Sequence, residues 1–514
     1  MIFVEHFPVL IVAISLLSAF TILVVGYFNR KLPCYISIGT VAIQLIMSFF
    51  ILHHVLTVGI IRYKIGGWCP PWGIEYVVDA LNAYFLVIIL SLAFLCVIYS
   101  KRSIEHEIPN EKLPSFYTIY QLLVTGLCGI TVTGDMFNLY VFVEIMSLSA
   151  YALIASRGGV ALKASFNYLV MGSIGACFYL LGVGFLYAVT GSLNMLDIQR
   201  ILPLVGYTNR MVHAAFILIL VGLSIKMAFF PLHTWLPDAH AFAPSEISAM
   251  LSGIIIETST YAFIRVAFTV FTKDFIATTP FFACIQWLAC LAIIYGSVLA
   301  IAQFNLKRML AYSSVSQMGI IMLAVGLSTY TRSEPWCGLT PALMHVLNHA
   351  LMKACLFLVA GAFIFKYDYW LITELEGIGR KMPLTSAAFT LAALSMIGVP
   401  PSVGFASKLY IILACLDIKN FFFAAAILFN ALLELVYFWR VIESMYMKGG
   451  EHHQSSHAHT LAGASERGEI PLSMLIPVLI LAFLCIIVGI MWLIGIPLPV
   501  LDEVNKMFGL GVVS

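Results

Sequence analysis

The chain has 514 residues, of which 61% are hydrophobic and only 10% charged, and its mean hydropathy is +1.00. A soluble protein carries roughly 25% charged residues, so a string of water-exposed domains is excluded. The formal net charge is +2 with no clustered basic face, which argues against a nucleic-acid binder.

What remains is an all-α integral membrane protein folded as one bundle. A spanning helix needs about 20 apolar residues, and fourteen runs qualify. In chain order they are 7–28, 35–58, 79–100, 114–133, 136–155, 165–190, 212–231, 246–270, 279–303, 308–328, 340–366, 384–415, 421–446 and 471–496. The N-terminus lacks a basic stretch and a small-residue cleavage site, so the first run is expected to be kept. GGWCPPWG (66–73), between the second and third runs, reads as a Trp/Pro turn packed at the membrane interface. The eleven cysteines are scattered singly, with no CxxC and so no ligand set for zinc or an iron–sulfur cluster. No cofactor or metal is expected.

The fifth run carries Glu144 in GDMFNLYVFVE (134–144), among aromatic and aliphatic neighbours. A charge at the bilayer centre costs roughly 2.5–3.5 kcal/mol on insertion scales, so it needs a partner. Lys226, in the seventh run, is a candidate. It begins KMAFFPLHTWLPDAH (226–240), where Pro231 cannot donate to the carbonyl of Met227 and the helix should break beside the lysine. Broken helices at membrane depth are tolerated where they line a cavity and mark ion sites. A fixed ion pair and a switch, in which Glu144 moves away and frees the lysine proton, both fit these residues. The eighth run holds Glu257 and Arg265.

The eleventh run holds His345, His349 and Lys353 at i, i+4 and i+8, with Asn348 close by. They drift only ~80° around the helix while climbing ~12 Å, forming one polar stripe. Imidazole exchanges protons near neutral pH, so the stripe reads as a proton wire or as a set of inter-helix hydrogen bonds. The twelfth run contains GVPPSVGFASK (398–408), where Pro400 and Pro401 break the helix and Lys408 follows the break. Two broken helices, each with one lysine, suggest a duplicated half. Glu434, Tyr437 and Arg440 in the thirteenth run weakly echo Glu257, Tyr261 and Arg265. Between the last two runs, the Gly/Ser-rich segment 447–470 carries His452, His453, His457 and His459 and reads as a solvated loop rather than a metal site.

An even number of spans puts both termini on one side. With the N-terminus outside, the inner loops hold fourteen basic residues and the outer loops eight, so both termini are expected outside.

These motifs, with LKRMLAYSSVSQMG (306–319), resemble the antiporter-like subunits shared by Mrp-type sodium/proton antiporters, respiratory complex I and membrane-bound hydrogenases. The resemblance covers nearly the whole chain, and GGWCPPWGIEYVVDALN (66–82) tilts it toward the D-type Mrp subunit and its hydrogenase counterpart. It implies three N-terminal helices (1–113), then two inverted five-helix repeats, helices 4–8 (114–270) and 9–13 (279–446). Helices 7 and 12 are the broken ones, and a final helix lies within 471–514. It implies a glutamate–lysine pair at Glu144 and Lys226, connecting residues at His345, His349 and Lys353, and a terminal lysine at Lys408. His233, Lys307 and Glu434 are supporting residues of this axis. One departure stands out: the family usually has a lysine or histidine where this chain has Glu257. That residue could relay protons, bind a cation, or pair with Lys226 and block the wire.

The expected function is translocation of protons, with Na+ as an alternative ion, within a multisubunit complex of the cell membrane, beside other membrane subunits and lipid. Any electron chemistry would belong to those partners. The rivals are a self-contained transporter of an organic solute, and a scaffold that has lost transport.

Overall fold

The computed structural model describes residues 4–330, 336–447, 468–496 and 498–510. The N-terminal helices are α1 (Phe7–Phe28), α2 (Leu32–Thr57) and α3 (Ala80–Glu107). Between α2 and α3 lies a feature the sequence reading missed, an antiparallel hairpin of β1 (Ile61–Lys64) and β2 (Glu75–Val78). The Trp/Pro turn closes it, with the rings of Trp68 and Trp72 exposed on the isolated chain.

The bundle continues with α4 (Leu113–Val132), α5 (Met136–Ala155) and α6 (Val160–Thr190). Next come α7 (Met195–Val205), α8 (Arg210–Lys226) and α9 (Leu236–Phe242). After them run α10 (Ser245–Ala277), α11 (Phe281–Ile301), α12 (Leu306–Leu327) and α13 (Thr340–Tyr367). The chain finishes with α14 (Pro383–Ile397), α15 (Val403–Asp417), α16 (Phe421–Tyr446), α17 (Leu472–Leu493) and α18 (Pro499–Phe508). Helix starts are set by local chemistry. Asp79, Asp135, Asn194, Asn209, Asn305 and Asn420 each accept backbone N–H groups of the following turn.

Among the described residues, twelve helices are long and apolar enough to cross a membrane. The other two expected spans are not continuous. The run 212–231 stops at Lys226 and resumes as α9, and the run 384–415 is split into α14 and α15 across residues 398–402. The chain between α6 and α8 holds the short amphipathic helix α7, which is not an apolar run because its apolar residues occupy one face only.

Burial decides where the charges sit. Every residue in the apolar window of α10 is buried, against 39% in α1, α2 and α6, so α10 is enclosed by the bundle. Its straight α-helical part, Ile256–Arg265, lies between two π-helical turns, Leu251–Ile255 and Val266–Phe271. Such turns shift the helical register and often occur at functional positions. Close backbone approach at Gly222 lets α8 lie on α6, since a Cβ there would sit 2.5 Å from the carbonyl oxygen of Gly175.

At the far end of α10, Arg265 makes a two-pronged pair with Asp79, Nη1 to Oδ2 at 2.7 Å and Nη2 to Oδ1 at 2.8 Å. It also donates to Asn82 and to Tyr261. The pair borders a cleft of about 380 Å³. Replacing Arg265 with leucine strands a buried carboxylate. The expected cost is about 3–5 kcal/mol, read as a lower unfolding temperature of the purified chain in detergent. An unchanged unfolding temperature would show that the pair contributes nothing.

Candidate functional site

Glu144, Lys226, Glu257, His345, His349, Lys353 and Lys408 fall into three hydrogen-bonded groups in the interior. The first joins α5 to α8. The Lys226 ammonium donates to Glu144 Oε1 at 3.0 Å, to Ser147 Oγ at 2.7 Å and to Tyr151 Oη at 3.4 Å. Lys226 is 2% exposed, whereas the Glu144 side chain is 23% exposed. The lysine therefore sits inside the bundle, and its carboxylate partner is partly exposed at the rim.

The break after Lys226 frees carbonyls that a continuous helix would satisfy. Trp235 Nε1 donates to the carbonyl of Ile225 at 2.9 Å, and its ring stacks on Tyr168 at 3.7 Å. The break is thus held by Trp235 of the same segment, stacked on Tyr168 of α6. His233 stacks on Phe230 at 5.6 Å, and its Nδ1 has no hydrogen-bond partner among the described residues. It is not hydrogen-bonded to Lys226.

The second group is central. Glu257 on α10 and His349 on α13 meet at 2.5 Å through Oε1 and Nδ1, both fully enclosed. Glu257 therefore does not pair with Lys226, so the permanent blocking pair considered from sequence is not formed. Glu257 Oε2 and His349 Nε2 have no hydrogen-bond partner among the described residues. One turn along α13, Lys353 donates to the carbonyl of Leu310 at 2.7 Å and to Ser313 Oγ.

The third group is a continuous chain across four helices. Ser407 Oγ lies 2.8 Å from His345 Nδ1, and His345 Nε2 lies 2.9 Å from Gln317 Oε1. The Gln317 amide donates to Glu434 Oε1, and Lys408 donates to Glu434 Oε2. Asn430 donates to Glu434 Oε1 at 2.9 Å. Lys408 also donates to the carbonyl of Met396 at 2.6 Å, in the last turn of α14. The ammonium thus satisfies orphan carbonyls at the second break and sits at the negative end of the helix dipole. Gly404 lets the two halves overlap, since a Cβ there would lie 1.9 Å from the carbonyl oxygen of Ser395.

Sequence reasoning singled out the ionisable members of these groups and missed the neutral ones, Ser147, Tyr151, Gln317, Asn430 and Ser407. Buried amides such as Gln317 in a transmembrane run are a readable signal, because an amide in an apolar helix must find a partner. Lys307 donates to the carbonyl of Ala243 at 2.9 Å and lies outside the three groups. Among the described residues, no three His, Cys, Asp or Glu side chains converge as metal ligands. His452, His453, His457 and His459 lie outside the described residues.

The sequence profile described as NADH:quinone oxidoreductase/Mrp antiporter, TM, matches residues 133–434, more than half of the chain and all three groups. The chain belongs to this family. Relatives extend the likeness beyond the profile. The antiporter-like chain is 42% identical over 431 residues to the N-type subunit of NADH-quinone oxidoreductase from Desulforudis audaxviator, covering 84% of each protein. It is 30% identical over 433 residues to the D-type subunit of the Na(+)/H(+) antiporter from Bacillus subtilis, covering 84% of this chain and 85% of that one. Among solved structures, it resembles a chain of the archaeal membrane-bound sulfane sulfur reductase. The TM-score is 0.85 at 31% identity, over 98% of this chain and 97% of that one. The antiporter-like chain is therefore an integral membrane protein related to the D-type subunit of Mrp and to the N-type subunit of complex I.

Proposed function

We propose that this chain is the proton-translocating subunit of a multisubunit membrane complex, with Na+ as the alternative ion. The observation that carries the reading is the arrangement of buried ionisable groups. Glu144–Lys226 stands at one broken helix, Lys408–Glu434 at the other, and Glu257–His349 between them. Static packing alone does not account for it, because an apolar side chain at each position would avoid the desolvation of the charges.

Lys226 holds its proton while Glu144 faces it. A charge arriving on a neighbouring subunit draws the rim-facing carboxylate away, and the unpaired ammonium in a dry interior then gives up its proton. The proton passes to Glu257 and His349, crossing the intervening distance on water. It continues along His345, Gln317 and Glu434 to Lys408. A glutamine relays a proton poorly, so the amide orients His345 and Glu434, and transfer between them runs through water or a reorientation of the imidazole. Glu257 serves as an anionic relay where the family usually has a cation.

This reading includes fourteen crossings, with α8–α9 and α14–α15 counted as broken spans, and two inverted repeats, 114–270 and 279–446. It also places both termini on the outer side of the cell membrane, with other membrane subunits as partners. The two helix breaks and the buried lysine beside each of them support the repeats. A self-contained solute transporter fits less well, because the polar groups form a line through the bundle rather than the walls of a midplane pocket.

The test is proton movement in membrane vesicles holding the assembled complex. Lys226→Ala is expected to reduce transport at least tenfold while the complex still assembles. Transport at the wild-type rate would overturn the reading.

A further inference from the structure

A second line of polar side chains runs inward from the surface, apart from Lys226. It begins at a cleft of about 320 Å³ formed by Arg157, Gly158, Val160, Phe242 and Trp370. The Arg157 guanidinium lies over the Trp370 ring at 4.3 Å, and the Lys307 ammonium lies near the same ring at 5.7 Å. Inward of the cleft, Arg157 Nη1 is 3.7 Å from Glu107 Oε2. Glu107 Oε1 accepts the backbone N–H of Ser245 at 3.2 Å and lies 3.5 Å from Ser103 Oγ. Ser103 Oγ in turn reaches Glu246 Oε2 at 3.1 Å. Glu246 is fully buried, and its Oε1 has no hydrogen-bond partner among the described residues.

His240 lies on α9, just before α10. It is fully buried with its ring stacked on Phe357 at 4.5 Å, and neither ring nitrogen has a hydrogen-bond partner among the described residues. Phe357 is one turn beyond Lys353 on α13, the helix that carries His349. Lys307 donates to the carbonyl of Ala243, which lies between His240 and Glu246 in the chain. Two acids and one hydroxyl thus form a line inward from a surface cleft, and an imidazole without a hydrogen-bond partner among the described residues stacks on the helix that carries His349. Buried polar atoms are normally paired, so unpaired ones on both Glu246 and His240 mark a place where something polar passes.

We propose that this line is a side entrance for protons, from the Arg157–Trp370 cleft through Glu107, Ser103, Glu246 and His240 to the central pair. A hydrated proton at the cleft transfers to the Glu107 carboxylate. The Ser103 hydroxyl takes that proton on its oxygen as it releases its own to Glu246. Glu246 passes it through water to His240, which releases it through water past Lys353 to the Glu257–His349 pair. Each group ends as it began, and one proton has moved inward with no redox step. Arg157 pairs with Glu107 and offsets its charge.

The inference rests on the proposed proton axis, and the experiment separates the two. Val160, at the mouth of the cleft, is 59% exposed. In the Val160→Cys complex, a bulky cationic methanethiosulfonate is attached and the extent of labelling is read by mass. The wild-type complex, treated identically, controls for native cysteines. Labelled Val160→Cys is expected to transport protons at least fivefold more slowly than the same sample after a thiol reductant removes the label. Glu246→Gln is expected to slow transport at least tenfold. Full labelling with no change in rate, or a wild-type rate in Glu246→Gln, while Lys226→Ala is inactive, would overturn the side entrance and leave the axis standing. A wild-type rate in Lys226→Ala would overturn the axis itself.

Discussion

Replacing Lys408 with alanine should abolish proton transport and destabilise the chain by about 3–5 kcal/mol, because it leaves Glu434 buried without its cation. The alanine also removes the donor to the Met396 carbonyl at the end of α14. A double replacement, Lys408→Met with Glu434→Leu, separates stability from function. Removing both charges and filling the space with apolar side chains is often neutral or stabilising. The double variant should therefore recover most of the unfolding temperature lost by Lys408→Ala and still move no protons. Transport in the double variant would show that the pair only holds the second break together.

The second large effect is expected at Glu257. The glutamate shares a 2.5 Å contact with His349, and Lys353 lies one turn along the same helix. Glu257→Gln keeps the shape and a carbonyl acceptor for His349 but removes the group that binds and releases a proton. The chain should assemble, and transport should fall at least tenfold. Glu257→Lys restores the cation usual in the family, yet it places an ammonium against His349 with Lys353 nearby. Like charges in a dry interior repel strongly, so this variant should lose both thermal stability and transport. Proton transport above the wild-type rate in Glu257→Lys would instead mean that the natural chain is a scaffold whose wire the glutamate has cut.

The comparison with Lys226→Ala, Arg265→Leu and labelled Val160→Cys gives each substitution a distinct signature. Arg265→Leu should lower the unfolding temperature, whereas the axis variants should lose transport first. The reason is position. Arg265 is locked by Asp79, Asn82 and Tyr261, while Glu144 and Glu246 each keep an oxygen able to take another partner.

Much of the architecture was legible in the amino-acid order because the bilayer makes it so. A run of about 20 apolar residues has few alternatives to a spanning helix. A charge inside such a run announces itself by its cost, and the prolines at 231, 400 and 401 mark where helices stop, since proline lacks the N–H a helix needs. Those local rules were enough to single out Glu144, Lys226, Glu257, His345, His349, Lys353 and Lys408. Partnership was not legible. Glu257 lies 92 residues from His349, and Ser103 lies 143 from Glu246. No spacing rule connects residues that far apart. Only the packing of α10 against α13 decides that Glu257 faces a histidine rather than Lys226. The proposed side route likewise joins residues distant in the chain, whereas the hairpin β1–β2 is a local pairing whose short strands lie outside the apolar runs. The composition by itself determined a membrane bundle with expensive charges. The tertiary structure decided which of those charges meet, because hydrogen bonds and ion pairs in a dry interior form between surfaces that packing brings together, not between positions in a sequence.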